Sequence, residues 1–435
     1  MSLLEMVFAC SSGDELLLMK DERGFTLLHL LINGLSTTLT TSLSRSLTEL
    51  ISHLVFRCPK ICVTTDSETR TPLSKLVDTL TRTPLRTVAL KVTLVQLLLA
   101  AAPDSASIVN RDGLHPLHEL VEKRIQSGSE KIMIEEHQCM AVQALVNAFP
   151  AASKIASRRN GLPLHSAISH RCCARLCAVL LSANPMALLQ DRNGEPCSFD
   201  SPPAGTVRRD CAIHVACKES PGHLYWVKCQ WSDPTVISLL LSADPRQAAL
   251  LGADGRSPLY LVLTNAKNTR VGSADCTACL GLLLKHCPDE MRQELHAPGL
   301  GGALPLHVAC TYGMDIGAIQ TLLDVDPEAV SREFTDNGEP QLALEAAIRH
   351  GAPPAVLRAL CSAYQAAVSH VGSEGRLPLH HAMLHRCELA VVLALAGAGV
   401  KVTVQSVRSA KAGTSKTQPK GMLAVKTPAS VSCFP

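Results

Sequence analysis

Aromatic residues are scarce in this sequence. Phe, Tyr and Trp together make up 3% of the 435 residues, and only two of them are tryptophans. Proteins that bind nucleic acid by stacking bases need exposed aromatic side chains on a basic surface. The formal net charge is only +3, so the composition argues against a nucleic-acid-binding function.

Long apolar runs are missing as well. No segment has the roughly 18 consecutive apolar residues that a membrane-spanning helix requires, and we therefore predict no membrane span. The first residues have no basic segment and are interrupted by Glu5, unlike a secretory signal. Without such a signal, the 18 cysteines indicate thiols in a reducing compartment. We expect a protein of the cytoplasm or the nucleus that is not secreted.

Catalytic motifs are absent too. Neither the phosphate-binding pattern Gly-x-x-x-x-Gly-Lys-Ser/Thr nor the nucleophile pattern Gly-x-Ser-x-Gly occurs in the sequence. The glycines from Gly299 onward do not complete a dinucleotide-binding motif, because Leu304 occupies the position of its third glycine. We predict no enzyme activity, no catalytic residue and no cofactor.

Two cysteine clusters raise the question of a metal site. Cys276 and Cys279 have the spacing of half a zinc site. The next candidate ligand, His286, lies seven residues beyond Cys279 on one predicted helix, a rise of ~10.5 Å that is too long for a shared ion. We therefore predict that these cysteines pack among apolar side chains and that no metal binds. The same prediction is made for Cys172, Cys173 and Cys177.

A repeated tripeptide, Pro-Leu-His or a close variant, is what the sequence does contain. Clear copies end at His29, His118, His165, His214, His307 and His380, and weaker copies end at Ser74, Tyr260 and Glu345. We call these nine third positions the anchors. They follow one another at intervals of 35 to 49 residues, which is the signature of a repeat protein.

Each repeat is predicted to contain two helices. Proline suits a first helical turn because its missing N–H is not needed there, so Pro-Leu begins a first helix, for example over residues 164–174. A second helix follows, with one apolar face formed by residues such as Ile316, Ile319 and Leu323, and a proline such as Pro185 ends it. A unit of about 35 residues cannot bury these faces alone, so neighbouring units must stack.

A turn-rich connector joins the second helix of one repeat to the first helix of the next. Its glycines supply the positive φ of a tight reversal. The turn dipeptides are Asp112-Gly113, Asn160-Gly161, Asn193-Gly194, Asp254-Gly255 and Asn337-Gly338.

These features resemble the ankyrin repeat family, whose unit of about 33 residues carries Gly-x-Thr-Pro-Leu-His-x-Ala. Residues 302–309 and 375–382 match this pattern closely. The resemblance covers about residues 1–400 and implies an all-α, ankyrin-like solenoid of about nine stacked helix–helix–hairpin repeats. It also implies that the anchor histidines hydrogen-bond to backbone between neighbouring hairpins. Leucine replaces the family's capping threonine at Leu162, Leu304 and Leu377, which predicts weaker helix caps.

Three regions follow from this organisation. We predict N-terminal capping helices over residues 1–23 and the repeat solenoid over residues 24–400. Residues 401–435 form a basic tail that we expect to be disordered, because no acidic residue follows Glu388 and apolar content is low. The variable distance between each anchor and the next proline places inserted loops between the two helices of five repeats, at residues 33–46, 80–88, 124–135, 218–234 and 265–275.

The predicted function is that of a non-enzymatic protein–protein interaction scaffold or adaptor, because stacked repeats present an extended surface. Two alternatives stay open. The chain could be a regulatory subunit of a larger assembly whose catalytic activity is elsewhere, or a nucleic-acid-associated protein that uses the basic tail. No motif identifies the protein partner, and no small-molecule substrate is expected.

Arginines recur just before the anchors, where their guanidinium groups could pair with carboxylates of a partner. They are Arg23, Arg70, Arg111, Arg158, Arg159, Arg208, Arg209, Arg256 and Arg376. Acidic residues of the same connectors could instead neutralise this row, and that alternative stays open. Arg158 and Arg159 have no acidic residue in their connector, so they are predicted to bind a partner.

Both tryptophans lie in one predicted loop. Trp226 and Trp231 are five residues apart and are joined there by Tyr225, one of four tyrosines. Such side chains are enriched at interface hot spots, so the three residues are candidate partner-binding residues. The alternative is that the indoles fold back over the helix beginning near Val236.

Overall fold

The computed structural model describes residues 13–35, 41–80, 85–122, 131–158, 161–197, 209–218, 234–265, 273–286, 303–336, 339–372, 375–385, 387 and 389–397. The chain divides into two compact units, residues 1–329 and residues 330–435. The predicted tail over residues 401–435 lies outside the described residues, as do the predicted solenoid boundary at residue 400 and the first part of the N-terminal cap.

The first unit consists of helices that alternate with turns. In chain order they are α1 (Gly13–Leu18), α2 (Leu27–Gly34), α3 (Thr41–Arg57), α4 (Pro72–Leu80), α5 (Leu85–Ala101), α6 (Pro116–Val121), α7 (Lys131–Ala148), α8 (Pro163–Ser169), α9 (Ala174–Ala183), α10 (Ala212–Cys217), α11 (Pro234–Ala243), α12 (Pro258–Asn265), α13 (Ser273–His286), α14 (Pro305–Thr311) and α15 (Ile316–Val325).

The second unit begins with a short antiparallel hairpin, β1 (Phe334–Asp336) and β2 (Glu339–Gln341), in which Phe334 lies opposite Gln341. Two helix pairs follow. They are α16 (Ala343–Arg349) with α17 (Pro354–Ala363), and α18 (Pro378–Leu384) with α19 (Leu389–Gly397).

Helices of the same kind pack together within each unit. In the first unit, each first helix of the series α2, α4, α6, α8, α10, α12 and α14 contacts the next, and each second helix of the series α3, α5, α7, α9, α11, α13 and α15 does the same. In the second unit, α16 contacts α18 and α17 contacts α19. The predicted all-α repeat fold is confirmed.

The residue before the anchor is a buried aliphatic side chain at eight of the nine anchors. Burying one such side chain stabilises the fold by about 1.5–3 kcal/mol. In the first unit these residues are Leu28, Leu73, Leu117, Leu164, Ile213, Leu259 and Leu306, and in the second unit the residue is Leu344.

The prolines that end the second helices have a second role. They lie two residues beyond the last helical residue and begin short 3-10 turns at Pro59–Val63, Pro103–Ala106, Pro150–Lys154, Pro185–Leu189, Pro245–Ala249 and Pro327–Ser331. The predicted glycine turns are confirmed at four connectors, where φ is positive at Gly113, Gly161, Gly194 and Gly255. Residues 337–338 lie outside the described residues.

Two sequence-based expectations need correction. The first helix predicted over residues 164–174 ends at Ser169, and Arg171 takes a φ of 59° before α9 begins. The inserted residues were expected to form loops between the two helices of a repeat. They do lie between the first helix and the normal start of the second, but some of them extend the second helix. α3 and α5 have 17 residues and α7 has 18, against 10 in α9, α11, α15 and α17.

The leucines at the helix starts, Leu162, Leu304 and Leu377, make no side-chain cap bond. At Leu304 and Leu377 the backbone N–H donates to Nδ1 of the anchor histidine three residues later, over 3.2 and 3.0 Å. The N-cap residue Thr26 makes the same N–H bond to His29 at 3.3 Å, so the ring supplies the N3 half of a capping box and the hydroxyl acceptor of threonine is not replaced.

Among the described residues, no helix is both long enough and apolar enough to cross a membrane.

Candidate interaction edge

The anchor His29 connects its own helix to the next connector. Its Nδ1 lies 2.8 Å from Oγ1 of the N-cap residue Thr26, and its Nε2 lies 3.1 Å from the carbonyl oxygen of Arg70, 41 residues further along the chain. The ring is buried, and this burial lowers the pKa of His29. The neutral ring can accept at one nitrogen and donate at the other.

Two further anchor histidines reach the next connector in the same way. Nε2 of His118 lies 2.9 Å from the Ile155 carbonyl oxygen, and Nε2 of His214 lies 3.0 Å from the Leu250 carbonyl oxygen. His214 also has the sulfur of Cys211 3.1 Å from its Nδ1. Burial lowers the pKa of both histidines.

The remaining histidine anchors differ in detail. His165 is fully buried beside the backbone of Gln190, and this burial lowers its pKa to about 4. Neither of its ring nitrogens has a hydrogen bond of good geometry. His307 is fully buried and accepts the Leu304 N–H, while His380 is half-buried. All six histidines therefore occupy the same helical position, but they differ in which hydrogen bonds their ring nitrogens make.

The three anchors that are not histidine also contact the following repeat or connector, which sequence reasoning missed. The Tyr260 hydroxyl donates to the Ala303 carbonyl oxygen at 2.7 Å. The shorter Ser74 donates to the buried carboxylate of Glu119 on α6, which also accepts from Asn110 in the next connector. In the sequence, only the recurrence of a polar residue at these anchor positions indicated such contacts between repeats.

An Asp or Asn eight residues before the anchor shapes the connector turn. In the first connector, Oδ1 of Asp21 accepts the N–H groups of Arg23 and Phe25 at 2.9 and 2.7 Å. Asp66 and Asn110 repeat this arrangement with the residues two and four positions later. The side chain thus pre-forms a tight turn. Its fixed spacing to the anchor is visible in the sequence but was not recognised.

Within the described ranges, glycine takes the place of this Asp or Asn at two of these positions. In the Gly252 turn, the missing side chain is supplied from the preceding connector, since Oδ1 of Asp210 accepts the N–H of Ala253 at 2.9 Å. Gly372 takes the same position in the second unit, where its N–H donates to the Arg376 carbonyl oxygen at 3.1 Å.

Successive connectors are also joined through their backbones. The Ser67 N–H donates to the Arg23 carbonyl oxygen at 3.2 Å, and the Arg111 N–H donates to the Glu68 carbonyl oxygen at 3.2 Å. These bonds place Arg23, Arg70 and Arg111 on adjacent turns. We call the row of connector turns in the first unit the connector edge.

Five arginines of this edge fall into two groups. Arg70 pairs with Asp66 at 3.3 Å and with Glu68 at 2.5 Å, and Arg209 pairs with Asp191 at 2.6 Å. These guanidinium groups are neutralised within the edge, as the alternative interpretation of the sequence predicted.

The second group has no such partner. The side chains of Arg23, Arg111 and Arg158 are exposed, and within the part of the chain that the structure describes none of them makes an ion pair. Asp21, which lies close to Arg23 in sequence, uses Oδ1 to hold backbone N–H groups. The edge therefore presents three guanidinium groups to solvent.

Several predicted partner-binding residues cannot be placed. Arg159, Tyr225, Trp226 and Trp231 lie outside the described residues, as does Arg208. The helix that the indoles were expected to cover is α11, which begins at Pro234.

Of the cysteines considered for a metal site, Cys177, Cys276 and Cys279 are buried in the core, whereas Cys172 and Cys173 are half-buried. Cys276 lies in α13 with its sulfur 3.9 Å from the Val262 carbonyl oxygen and 3.8 Å from the sulfur of Met314. Cys279 is buried on the same helix. Burial raises the pKa of Cys276 to about 12, which keeps it in the thiol form.

The repeated helix pairs define the class of the protein as an all-α repeat solenoid. No protein-family model matches the chain, and no curated protein matches it. Among solved structures, it is similar to the crystal structure of the human ASB11 ankyrin repeat domain, with 15% sequence identity and a TM-score of 0.31. This match covers 77% of this chain and 100% of that chain.

Proposed function

We propose that the chain is a non-enzymatic protein-interaction scaffold built from ankyrin-like repeats, and that its connector edge binds an acidic segment of a protein partner. The observation that carries the proposal is the exposure of Arg23, Arg111 and Arg158 without internal ion pairs, beside Arg70 and Arg209, which are paired. Guanidinium groups bind carboxylates in a bidentate geometry, so an acidic partner segment fits this edge.

The rigidity of the edge supports the same function. Several connectors are held by Asx-type hydrogen bonds within the turn, as at Asp66. Others are held by anchor side chains from the preceding repeat, such as His214 at the Leu250 carbonyl. The Arg70 connector has both, because His29 contacts the Arg70 carbonyl. A surface that is already ordered loses little conformational entropy on binding. No enzymatic role is part of the proposal.

The thiols support an intracellular location within this proposal. No disulfide joins the cysteines that the structure describes, and most of them are buried. Proteins with many reduced cysteines are typical of the cytoplasm and the nucleus.

A charge-matched comparison tests the function. The edge variant combines Arg23→Ala, Arg111→Ala and Arg158→Ala. The control combines Arg175→Ala, Lys285→Ala and Arg358→Ala, which removes the same charge from exposed positions on second helices. Partners are captured with the full chain and identified by mass spectrometry, and their affinities for all three proteins are then measured at low and high salt.

The proposal expects the edge variant to bind roughly tenfold more weakly and to lose most of the salt dependence, because exposed charges act through screened attraction. The control variant should keep both the affinity and the salt dependence of the unmodified chain. Equal affinities for the edge variant and the unmodified chain would show that the connector edge does not bind the partner.

A further inference from the structure

Two cysteines of adjacent repeats lie close enough to react with each other. Cys139 is in α7, and Cys173 is the N-cap residue of α9, 34 residues later. Their sulfur atoms are 3.5 Å apart. We propose that Cys139 and Cys173 form a redox-active dithiol site, which hydrogen peroxide converts to an intramolecular disulfide. This site is separate from the connector edge, and its test does not depend on the proposed function.

The position of Cys173 favours its thiolate. The hydrogen bond from the Cys139 thiol lowers the pKa of Cys173, and the N–H groups of Leu176 and Arg175 in the first turn of α9 lower it further. The same bond and burial raise the pKa of Cys139. A thiolate at a helix N-terminus is the reactive form of cysteine, so Cys173 is the nucleophile and Cys139 the resolving thiol.

Cys172 is next to Cys173 but is placed differently. Its sulfur faces the Val121 carbonyl oxygen at 3.9 Å, and burial raises its pKa to about 12. It therefore stays a thiol near neutral pH. The geometry distinguishes two neighbouring residues of the same type, which gives the proposal a sharp internal control.

A small oxidant can reach the pair. A cleft of about 710 Å³ between the second helices of three repeats is lined by Leu99, Cys139, Met140, Gln143 and Arg175. Cys173 is half-buried, whereas Cys276 and Cys279 in α13 are fully buried. Access and thiolate character therefore coincide at Cys173.

The reaction balances with hydrogen peroxide as the oxidant. The Cys173 thiolate attacks one oxygen of the peroxide, the O–O bond breaks, and hydroxide leaves, so that the cysteine becomes a sulfenic acid. The Cys139 sulfur then attacks the Cys173 sulfur, the S–O bond breaks, and the oxygen leaves as water with the Cys139 proton. Overall, two thiols lose two electrons and two protons, and one peroxide becomes two waters. The product links α7 covalently to the start of α9.

Tryptic peptide mapping of the full chain under non-reducing conditions tests the proposal. Cys139 is the only cysteine in the peptide of residues 132–154, and Cys172 and Cys173 share the peptide of residues 172–175. After peroxide treatment and alkylation, we expect these two peptides to be disulfide-linked. The link should form roughly tenfold faster than oxidation of the buried Cys276.

Three variants assign the roles. Cys172→Ala should leave the link intact. Cys139→Ala should stop the reaction at a Cys173 sulfenic acid that dimedone traps, and Cys173→Ala should abolish both the link and the trapped product. Circular dichroism of each variant checks that it is folded.

Two results would overturn the proposal. One is complete alkylation of Cys139 and Cys173 in the folded, peroxide-treated unmodified chain. The other is a link that disappears in Cys172→Ala while Cys173→Ala retains it.

Discussion

Nδ1 of His370 lies 3.1 Å from Oε1 of Glu345 in the second unit, and this contact inverts the usual anchor. At His29, His118 and His214 the helix supplies a histidine and the next connector supplies a carbonyl oxygen. Here the helix supplies a buried carboxylate and the connector supplies the histidine. Glu345 still accepts the N–H of the N-cap residue Leu342 at 3.3 Å.

The two kinds of anchor should titrate in opposite directions. Partial burial opposes protonation of His370, but the hydrogen bonds that its ring donates to Glu345 and Glu333 raise its pKa above 6.5. Burial lowers the pKa of His214. His370 therefore contributes stability below pH 6.5 that is lost as pH rises through its folded pKa. His214 favours folding above pH 6.5, and that contribution is lost as pH falls toward its folded pKa. NMR titration of ring-labelled histidine, assigned with His370→Gln and His214→Gln, checks both directions. A His370 pKa below the ordinary histidine value of 6.5 would contradict this account.

The turn residue Asp66 should be replaceable by asparagine but not by alanine. Its Oδ1 accepts two backbone N–H groups, and hydrogen bonds to a charged group contribute about 1.5–3 kcal/mol. We expect Asp66→Ala to lower the free energy of urea-induced unfolding by about 2 kcal/mol. Asp66→Asn should recover most of this, because Asn110 makes the same turn in the next repeat. Equal losses in the two variants would refute the assigned role of Oδ1.

Two glycines at equivalent turn positions should respond differently to alanine. A Cβ at Gly252 would lie 2.6 Å from Oδ1 of Asp210 and 2.7 Å from Cδ2 of His214. A Cβ at Gly372 would have Oε1 of Glu345 as its nearest neighbour, at an ordinary 3.5 Å. Because overpacking costs about 1–3 kcal/mol, Gly252→Ala should lower the melting temperature, and Gly372→Ala should leave it nearly unchanged. A larger drop in melting temperature for Gly372→Ala than for Gly252→Ala would rule out this steric explanation.

Glu119 should destabilise the fold at alkaline pH. Burial raises its pKa to about 7 from an ordinary 4.5, despite the hydrogen bonds from Ser74 and Asn110. Its favourable contribution is thus present below pH 4.5 and is lost as pH rises to 7. Glu119→Gln should therefore be more stable than the unmodified chain at pH 8, by up to about 3 kcal/mol, and close to it at pH 4.5. The exposed Glu15→Gln serves as the control, and a pH-independent difference would argue against burial as the cause.

The repeated elements of the fold are the ones that the sequence predicts well. Regular anchor spacing, prolines after second helices and glycines such as Gly113 and Gly255 recur, so each copy supports the interpretation of the others. The roles of Ser74 and Tyr260 could not be predicted, because their partners lie a full repeat away and differ in chemistry.

The longer second helices were missed for a related reason. Residues before α3, α5 and α7 carry no cap motif at a fixed distance from the anchor, so the sequence marks the insertion but not where the helix begins. The proximity of Cys139 and Cys173 likewise depends on packing between repeats, since neither residue belongs to a recognised motif.

Site-specific photo-crosslinking tests the central claim most directly. A photoreactive amino acid is placed at position 111 on the connector edge or at position 358 on the exposed side of α17, in the full chain. We predict that a protein partner cross-links at position 111, that Arg23→Ala with Arg158→Ala reduces the yield, and that position 358 gives little product. Cross-linking at position 358 with none at position 111 would contradict a binding role for the connector edge.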